Sequence, residues 1–259
     1  MIFEILNPLL LVEYKKIVTQ SPIDILTNLE KIDTPVDYFQ FYNSVSSVYS
    51  SKIEGENIDF DSFYKHKFLN IQYQPDYTKK ADDLYLAYEF IFKNKLNLEN
   101  LQKAHSILSS NLLPKNQQGF IRNNPMFVIN SDDRIEYVAT EPTKVKFELD
   151  KLFNDIKKLQ TAKLDDFEIF YYAAYIHLVF VKIHPFQDGN GRAARLIEKW
   201  FLIEQINDKA TAVQLEKNYF KNLERYYSNI KKIGIEYDTL DYSKALDFLV
   251  MTAKGLETQ

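Results

Sequence analysis

The chain has 259 residues, 46% of them hydrophobic and 15% aromatic, which supports an ample core in one large or two small domains and excludes a disordered chain. Its net charge of −4 provides no basic face, so we expect no nucleic-acid partner. It contains no cysteine, which excludes disulfides and thiolate chemistry and fits a reducing compartment.

The N-terminal stretch MIFEILNPLLLVEYKK is apolar, but it lacks a basic start and is interrupted by Glu4, Asn7 and Pro8. These features are typical of neither a signal peptide nor a transmembrane span. We therefore expect a cytoplasmic protein with no membrane partner.

Helical periodicity dominates from about residue 8 to residue 112, with breaks expected at Pro22, Pro35, Gly55 and Pro75. Within this half, DYFQFYNSVSSVYSSKIE predicts a helix that ends at Gly55. Glu54 then lies in the last turn, where the helix dipole disfavours a negative charge by about 0.3–1 kcal/mol. A solvated side chain tolerates that cost, so this stretch alone gives Glu54 no special role.

Further helices are predicted over 79–95, 97–113, 142–159 and 165–183, and the last is apolar on nearly all faces, as in a buried central helix. Between them, the runs MFVI and IEYVA flank the polar NSDDR and predict a β-hairpin over 126–139. An isolated hairpin has an exposed edge that can bind an extended peptide as an added strand. The fold class is mainly α.

The loop HPFQDGNG follows the central helix and precedes another helix that opens near Arg192. Glycines on both sides of Asn190 let backbone N–H groups approach an anion at that helix N-terminus, although a tight turn requires the same residues. Arg192 and Arg195 are two of only five arginines, and cations at a helix N-terminus suggest a bound polyanion. The alternative is a surface ion pair between Arg195 and Glu198.

Two other residues of this loop carry chemistry. Asp188 offers the hard oxygen ligand that Mg²⁺ prefers. A histidine ordinarily has a pKa near neutrality, so we expect that His184 can accept a proton from an attacking hydroxyl as a general base. His177, inside the central helix, is interpreted as a core histidine with its hydrogen bonds satisfied. His66 and His105 have no other candidate catalytic residues near them in the sequence. The combination predicts a phosphoryl- or nucleotidyl-transfer site.

The segment HPFQDGNGRAAR resembles the signature of the Fic family, HPFx[D/E]GNGRxxR, at every specified position. The resemblance implies a Fic-type helical bundle with a small β-hairpin flap, which transfers AMP from ATP, with Mg²⁺, to a hydroxyl of a protein target. It implies an N-terminal helical segment over 1–78 and a core over 79–235 with the signature loop at 184–195. The helical pattern after residue 185 predicts a C-terminal helical tail over 236–259, which shows no family pattern.

The family's roles carry over to matching positions of this sequence. His184 is expected to be the catalytic base, Asp188 the Mg²⁺ ligand, and Arg192 and Arg195 the contacts to the phosphates, Arg195 at the γ-phosphate. The remaining assignments are an anion hole (Gly189, Asn190, Gly191), tyrosines near the adenine (Tyr226 and Tyr227) and a target-docking flap (Met126, Phe127, Val128, Ile129).

The segment SSKIEG, from Ser50 to Gly55, resembles the family's inhibitory pattern [S/T]xxxE[G/N], in an inhibitory helix over about 37–55. The resemblance implies that Glu54 pairs with Arg195 and blocks the γ-phosphate, so we expect an autoinhibited enzyme. Two alternatives stay open: AMP removal with Glu54 positioning a water, and a catalytically silent ATP-binding interaction module. A homodimer that buries the inhibitory helix is compatible with the sequence but is not required by it.

Overall fold

The computed structural model of the protein describes residues 2–28, 37–71, 78–129 and 132–257. The fold is mainly helical, with a small two-stranded antiparallel sheet, as the sequence predicts. In chain order the α-helices and strands are α1 (Leu11–Ile17), α2 (Pro22–Asn28), α3 (Tyr38–Ile53), α4 (Phe60–Leu69), α5 (Lys79–Lys93), α6 (Leu98–Leu108), β1 (Phe127–Ile129), β2 (Ile135–Val138), α7 (Pro142–Thr161), α8 (Asp166–Ile183), α9 (Asn190–Ile206), α10 (Leu215–Lys221), α11 (Leu223–Lys232), α12 (Leu246–Leu249) and α13 (Met251–Leu256).

The centre of the fold is the pair α8 and α9, which pack against each other on either side of the signature loop. α8 begins with a capping box in which Asp165 and Glu168 each accept the other's backbone N–H. Its side chains are buried along almost its whole length, so the prediction of a buried central helix is confirmed.

α3 packs between α5 and α10 and carries a run of buried serines. Ser44 and Ser47 donate their hydroxyls to the carbonyl oxygens of Gln40 and Asn43, one turn earlier in the same helix. Because these hydroxyls are satisfied within the helix and the side chains are small, α3 comes close to its neighbours. Its C-terminal end is thereby brought to the N-terminus of α9.

The hairpin forms where the sequence predicts it, with Phe127 paired to Val138, Val128 to Tyr137, and a register shift after Val128. The expectation that it stands alone is wrong, because the N–H of Val138 donates to the carbonyl of Ile235 at 2.8 Å. That contact covers part of the outer edge of β2. The segment at 235–236 has no β-pattern of its own that would predict this pairing.

One apolar core cluster draws on the whole described chain, from Leu6 to Leu256, so the three predicted segments share a core. Gly55 ends α3 with φ +84°, and Pro22 opens α2, as expected for these breaks. The predicted breaks at Pro35 and Pro75 lie outside the described residues. None of the helices in the described part of the chain is long and apolar enough to cross a membrane.

Candidate active site

His184 closes α8 in the left-handed conformation, at φ 52°, where its backbone N–H still donates to the carbonyl of Phe180. Its ring Nδ1 lies 3.3 Å from the carbonyl oxygen of Val181. Donation from Nδ1–H there leaves the lone pair of Nε2 available to accept a proton. Burial, helped by the charge of Arg122, lowers the pKa of His184 to about 4, so the ring is neutral at pH 7.

Asn190 and Gly189 fix the shape of the loop. The side chain of Asn190 accepts the N–H of Phe186 at 2.9 Å and donates to the carbonyl of the same residue at 2.8 Å. Gly189 precedes α9 with φ +76°, a conformation that L side chains rarely adopt. The side chain of Asn190 therefore holds the loop and is not available to a ligand.

Asp188 is exposed, and its Oδ1 accepts the N–H of Gly189 at 2.6 Å. Its carboxylate has the chemistry for Mg²⁺, and among the described residues no three acidic or histidine side chains cluster as metal ligands. A Mg²⁺ at Asp188 would therefore take its other ligands from phosphate oxygens and water, which fits a nucleotide-dependent site.

His105 contacts the signature loop, so the interpretation that it has no candidate catalytic residues as neighbours is wrong. Its Nδ1 accepts the N–H of Gly119 at 3.0 Å, which leaves the proton on Nε2 for the carbonyl of Asp188 at 2.9 Å. The ring stacks on Phe186 with centroids 3.6 Å apart. Burial lowers the pKa of His105 to about 4, which keeps this neutral tautomer at pH 7.

Arg122 is a second residue that the sequence does not reveal. It is 5% exposed, and its guanidinium donates to the carbonyls of His184 at 2.7 Å, Asn124 at 2.8 Å and Thr140 at 2.6 Å. Its own N–H donates to the carbonyl of Pro185. Arg122 thus joins the signature loop to both ends of the flap through backbone carbonyls, which leave no trace in a sequence pattern.

Arg195 is the most deeply buried cation of the site, at 1% exposure. Its Nη2 lies 2.6 Å from Oε1 of Glu54 and 3.1 Å from the carbonyl of Ser50, and its Nε donates to the hydroxyl of Ser50 at 2.9 Å. Its Nη1 lies 3.4 Å from the hydroxyl of Tyr226. The structure thus brings Arg195 to Ser50 and Glu54, which precede it by 145 and 141 positions in the chain.

The carboxylate of Glu54 lies directly over the turn at Gly191. A Cβ placed on Gly191 would come 2.7 Å from Oε1 of Glu54, so this approach requires glycine. Burial raises the pKa of Glu54, but the charges of Arg195 and Arg192 outweigh burial, and the net pKa is below its usual value. Glu54 is therefore an ionised carboxylate that keeps contact with solvent but is paired with a buried cation, so the interpretation that it has no special role is wrong.

Arg192 is buried beside it, and its only ion pair in the described chain is with Glu56, at 3.5 Å. Lys80 competes for the same carboxylate oxygen at 2.6 Å. Nε of Arg192 is buried without a hydrogen-bond partner. An unsatisfied guanidinium nitrogen next to a helix N-terminus fits an anionic ligand such as phosphate.

The alternative of a surface pair between Arg195 and Glu198 is wrong, because Glu198 is fully buried and bonds His177 instead, at 2.6 Å. That contact confirms His177 as a satisfied core histidine. Tyr226 is buried beside Arg195, whereas Tyr227 is 39% exposed and donates its hydroxyl to the carbonyl of Ile53. Their predicted place near the adenine stays a prediction.

The flap residues divide by face. Phe127 and Ile129 are exposed, at 48% and 59%, while Met126 and Val128 are partly buried. Phe127 and Ile129 therefore form an exposed apolar face of β1, and the outer edge of this strand lies opposite the edge that Ile235 covers.

Residues 95–202 match the sequence model of the Fic/DOC family. Among solved structures, the chain is similar to a Fic family protein from Desulfovibrio desulfuricans, with 17% identity, a TM-score of 0.78, and 95% of this chain and 73% of that chain covered. It is also similar to a Fic domain containing signaling protein from Bacteroides thetaiotaomicron, with 14% identity, a TM-score of 0.64 and coverage of 95% and 92%.

A third similar structure is Fic-1 (residues 134–508) from C. elegans, with 15% identity, a TM-score of 0.63, and 97% of this chain and 72% of that chain covered. At these identities the likeness establishes the fold. No curated protein matches the chain.

Arg122→Ala should destabilise the protein, because it leaves several buried carbonyls without donors, each at a cost of about 1–3 kcal/mol. We expect thermal unfolding to shift down by several degrees, with faster hydrogen exchange at the backbone of the loop and flap. Arg225→Ala, at an exposed position on α11, is the control and should change little. Equal melting temperatures for the two variants would contradict the anchoring role of Arg122.

His184 should stay neutral well below the ordinary histidine pKa of about 6.5. The unfolded chain takes up a proton near that pH, whereas folded His184 does so only near pH 4, so its contribution to stability is full above 6.5 and declines as pH falls toward 4. NMR of its Cε1–H, assigned with His184→Gln, should show no titration between pH 8 and about 5.5. A midpoint near 6.5 would contradict the burial argument.

Proposed function

We propose that this chain, whose residues 95–202 form a Fic/DOC family domain, is a protein adenylyltransferase held inactive by its own Glu54. It would move AMP from ATP to a serine, threonine or tyrosine hydroxyl of a target protein and of itself. The observation that carries the proposal is the 2.6 Å contact between Glu54 and Arg195, beside a loop with every signature residue in place. An acid seated among phosphate-type donors suggests that the donors have another, anionic partner.

His184 supplies the proton chemistry. Its Nε2 would accept the proton of the target hydroxyl as the oxygen bonds to the α-phosphorus of ATP, while the bond from that phosphorus to the oxygen bridging the β-phosphate breaks and pyrophosphate leaves. The contact of Nδ1–H with the carbonyl of Val181 supports this role, because it leaves the Nε2 lone pair of the neutral ring available to accept a proton at pH 7.

The phosphates would be held at the N-terminus of α9. The backbone of Gly189, Asn190 and Gly191 opens that helix, and Arg192 and Arg195 bring two buried guanidinium groups to it. The unpartnered Nε of Arg192 supports an anion here. Asp188 would hold Mg²⁺, which when bound would neutralise phosphate charge.

Inhibition follows from competition for one cation. In the inhibited state Glu54 and Ser50 occupy three of the donor directions of Arg195, so a γ-phosphate has no free access to that guanidinium. Their withdrawal, with the end of α3, would admit the phosphate. Glu54 is 28% exposed, so solvent reaches the carboxylate and a departure does not require the core to open.

The same exposure favours one second candidate. An ionised carboxylate at the phosphate site that also reaches water has what is needed to orient a water for AMP removal. The third possibility, a silent ATP-binding module, is less well supported, because a pure binder has no use for a neutral histidine with its Nε2 lone pair available.

The AMP-transfer proposal predicts the outcome of label transfer with Mg²⁺ and ATP. Glu54→Gly should raise self-labelling from α-labelled ATP at least about tenfold over wild type, because a competing interaction of about 1.5–3 kcal/mol with Arg195 is removed. The γ-labelled nucleotide should give no label, and Glu54→Gly with His184→Ala should label neither itself nor a lysate protein while still binding ATP.

Lys52→Ala is the matched control, since it truncates another side chain of the same last turn of α3, keeps the helix and does not touch Arg195. It should stay at the wild-type rate. Label from the γ-position would identify a kinase instead. A Glu54→Gly variant that labels nothing but removes AMP less well than wild type would favour the hydrolytic candidate.

The flap edge is proposed to dock the target by strand addition, since Phe127 and Ile129 expose apolar side chains beside the outer edge of β1. In the Glu54→Gly background, Ile129→Asp should reduce labelling of a protein target about tenfold or more and leave ATP affinity within about twofold. Phe147→Asp, at an exposed site on α7, is the control. Equal losses of labelling and ATP affinity in Ile129→Asp would argue against docking at this edge.

A further inference from the structure

The contacts of Arg195 come from two sources. Three hydrogen bonds come from the inhibitory segment, through Glu54 and both the hydroxyl and the carbonyl of Ser50. Within the described residues, only the hydroxyl of Tyr226 reaches the guanidinium from outside that segment, at 3.4 Å from Nη1. If α3 withdraws, as the proposed function requires, this hydroxyl is the remaining hydrogen-bond partner that orients Arg195.

Tyr226 is itself held by a chain of hydrogen bonds with one direction. Glu198 Oε2 lies 2.6 Å from Nδ1 of His177, so the carboxylate accepts from Nδ1–H. The neutral ring then presents the lone pair of Nε2 to the Tyr226 hydroxyl, 3.0 Å away, which donates to it. The hydroxyl oxygen of Tyr226 keeps its lone pairs for the N–H of Arg195.

This series of hydrogen bonds is buried, and further contacts hold its acidic end in place. His177 and Glu198 are fully buried, Tyr226 is 1% exposed, and burial lowers the pKa of His177, which favours the neutral ring that the chain needs. Glu198 also accepts from the hydroxyls of Tyr219 at 3.0 Å and Thr252 at 2.5 Å. Because its members lie on α8, α9 and α11, packed in the core, the chain does not depend on the position of α3.

We propose that Tyr226, His177 and Glu198 are positioning residues that keep Arg195 directed at the terminal phosphate of ATP once the inhibitory segment has left. This inference rests on the proposed function. The partner that touches Arg195 is a neutral hydroxyl, and the acid of the chain stands two side chains away. Arg195 is therefore oriented without being neutralised, and its charge remains available for phosphate.

The test compares ATP with ADP, because only ATP carries the phosphate that Arg195 is proposed to meet. In the Glu54→Gly background, Tyr226→Phe should raise the dissociation constant for ATP about tenfold and change that for ADP less than about twofold, measured by calorimetry with Mg²⁺. KM for ATP should rise more than kcat falls. His177→Gln, which keeps an acceptor near the Nε2 position, should lose less ATP affinity than His177→Ala.

Tyr171→Phe is the matched control. Tyr171 is also a fully buried tyrosine, but it lies on α8, and its hydroxyl donates to the carbonyl of Asn7 and not to the site. If the core loosens in general, Tyr226→Phe would weaken ATP and ADP binding equally, or Tyr171→Phe would weaken ATP binding as much as Tyr226→Phe does. Either result would overturn the inference. If Tyr226→Phe does not fold, an unchanged ATP-to-ADP preference in both His177 variants would also overturn it. If Glu54→Gly alone neither binds ATP nor transfers AMP, the proposed function fails instead.

Discussion

The buried guanidinium of Arg195 is the constraint on which the rest of the site depends. A cation at 1% exposure requires an anionic or strongly polar partner, because removing its partner leaves an uncompensated charge at a cost of about 3–5 kcal/mol. Glu54 is that partner here. Each residue stabilises the charged form of the other, and the charge of Glu54 raises the pKa of Arg195 despite its burial. On the proposed function, Glu54 and the terminal phosphate of ATP would compete for this one charge, so they could not bind Arg195 at the same time.

The loop that surrounds this cation is held without help from a ligand. His105, Arg122 and Asn190 fix its backbone from three different directions, all through backbone carbonyl or N–H groups. Such anchoring does not use Nε of Arg192, which is buried without a hydrogen-bond partner. A site whose donors are already in place reorganises little when charge develops on a phosphate, which is the condition for strong electrostatic stabilisation.

What the sequence predicts here depends on distance along the chain. The helices, the hairpin and the signature loop are local, so periodicity and a run of twelve residues are enough to identify them. His105 and Arg122 contact the loop from 83 and 62 positions away, through backbone atoms common to every residue, and no local signal exists for either. Glu198 was open to misinterpretation because spacing of i, i+3 indicates a shared face of a helix, not whether that face is exposed.

The magnitudes around Glu54 indicate a contact that a ligand can reverse. The hydrogen bond to Arg195 contributes about 1.5–3 kcal/mol, and the helix dipole at the end of α3 subtracts about 0.3–1 kcal/mol. A nucleotide at about a hundred times its dissociation constant supplies about 2.7 kcal/mol, which is of the same size. On the proposed function, Glu54 would therefore inhibit effectively only because Ser50, bonded to the same guanidinium from the preceding turn, keeps the end of α3 in place. The strength of the proposed inhibition would then lie in the packing of α3 against α5 and α10 as much as in the acid itself, and anything that shifts that helix would act on Arg195 without touching the proposed nucleotide site.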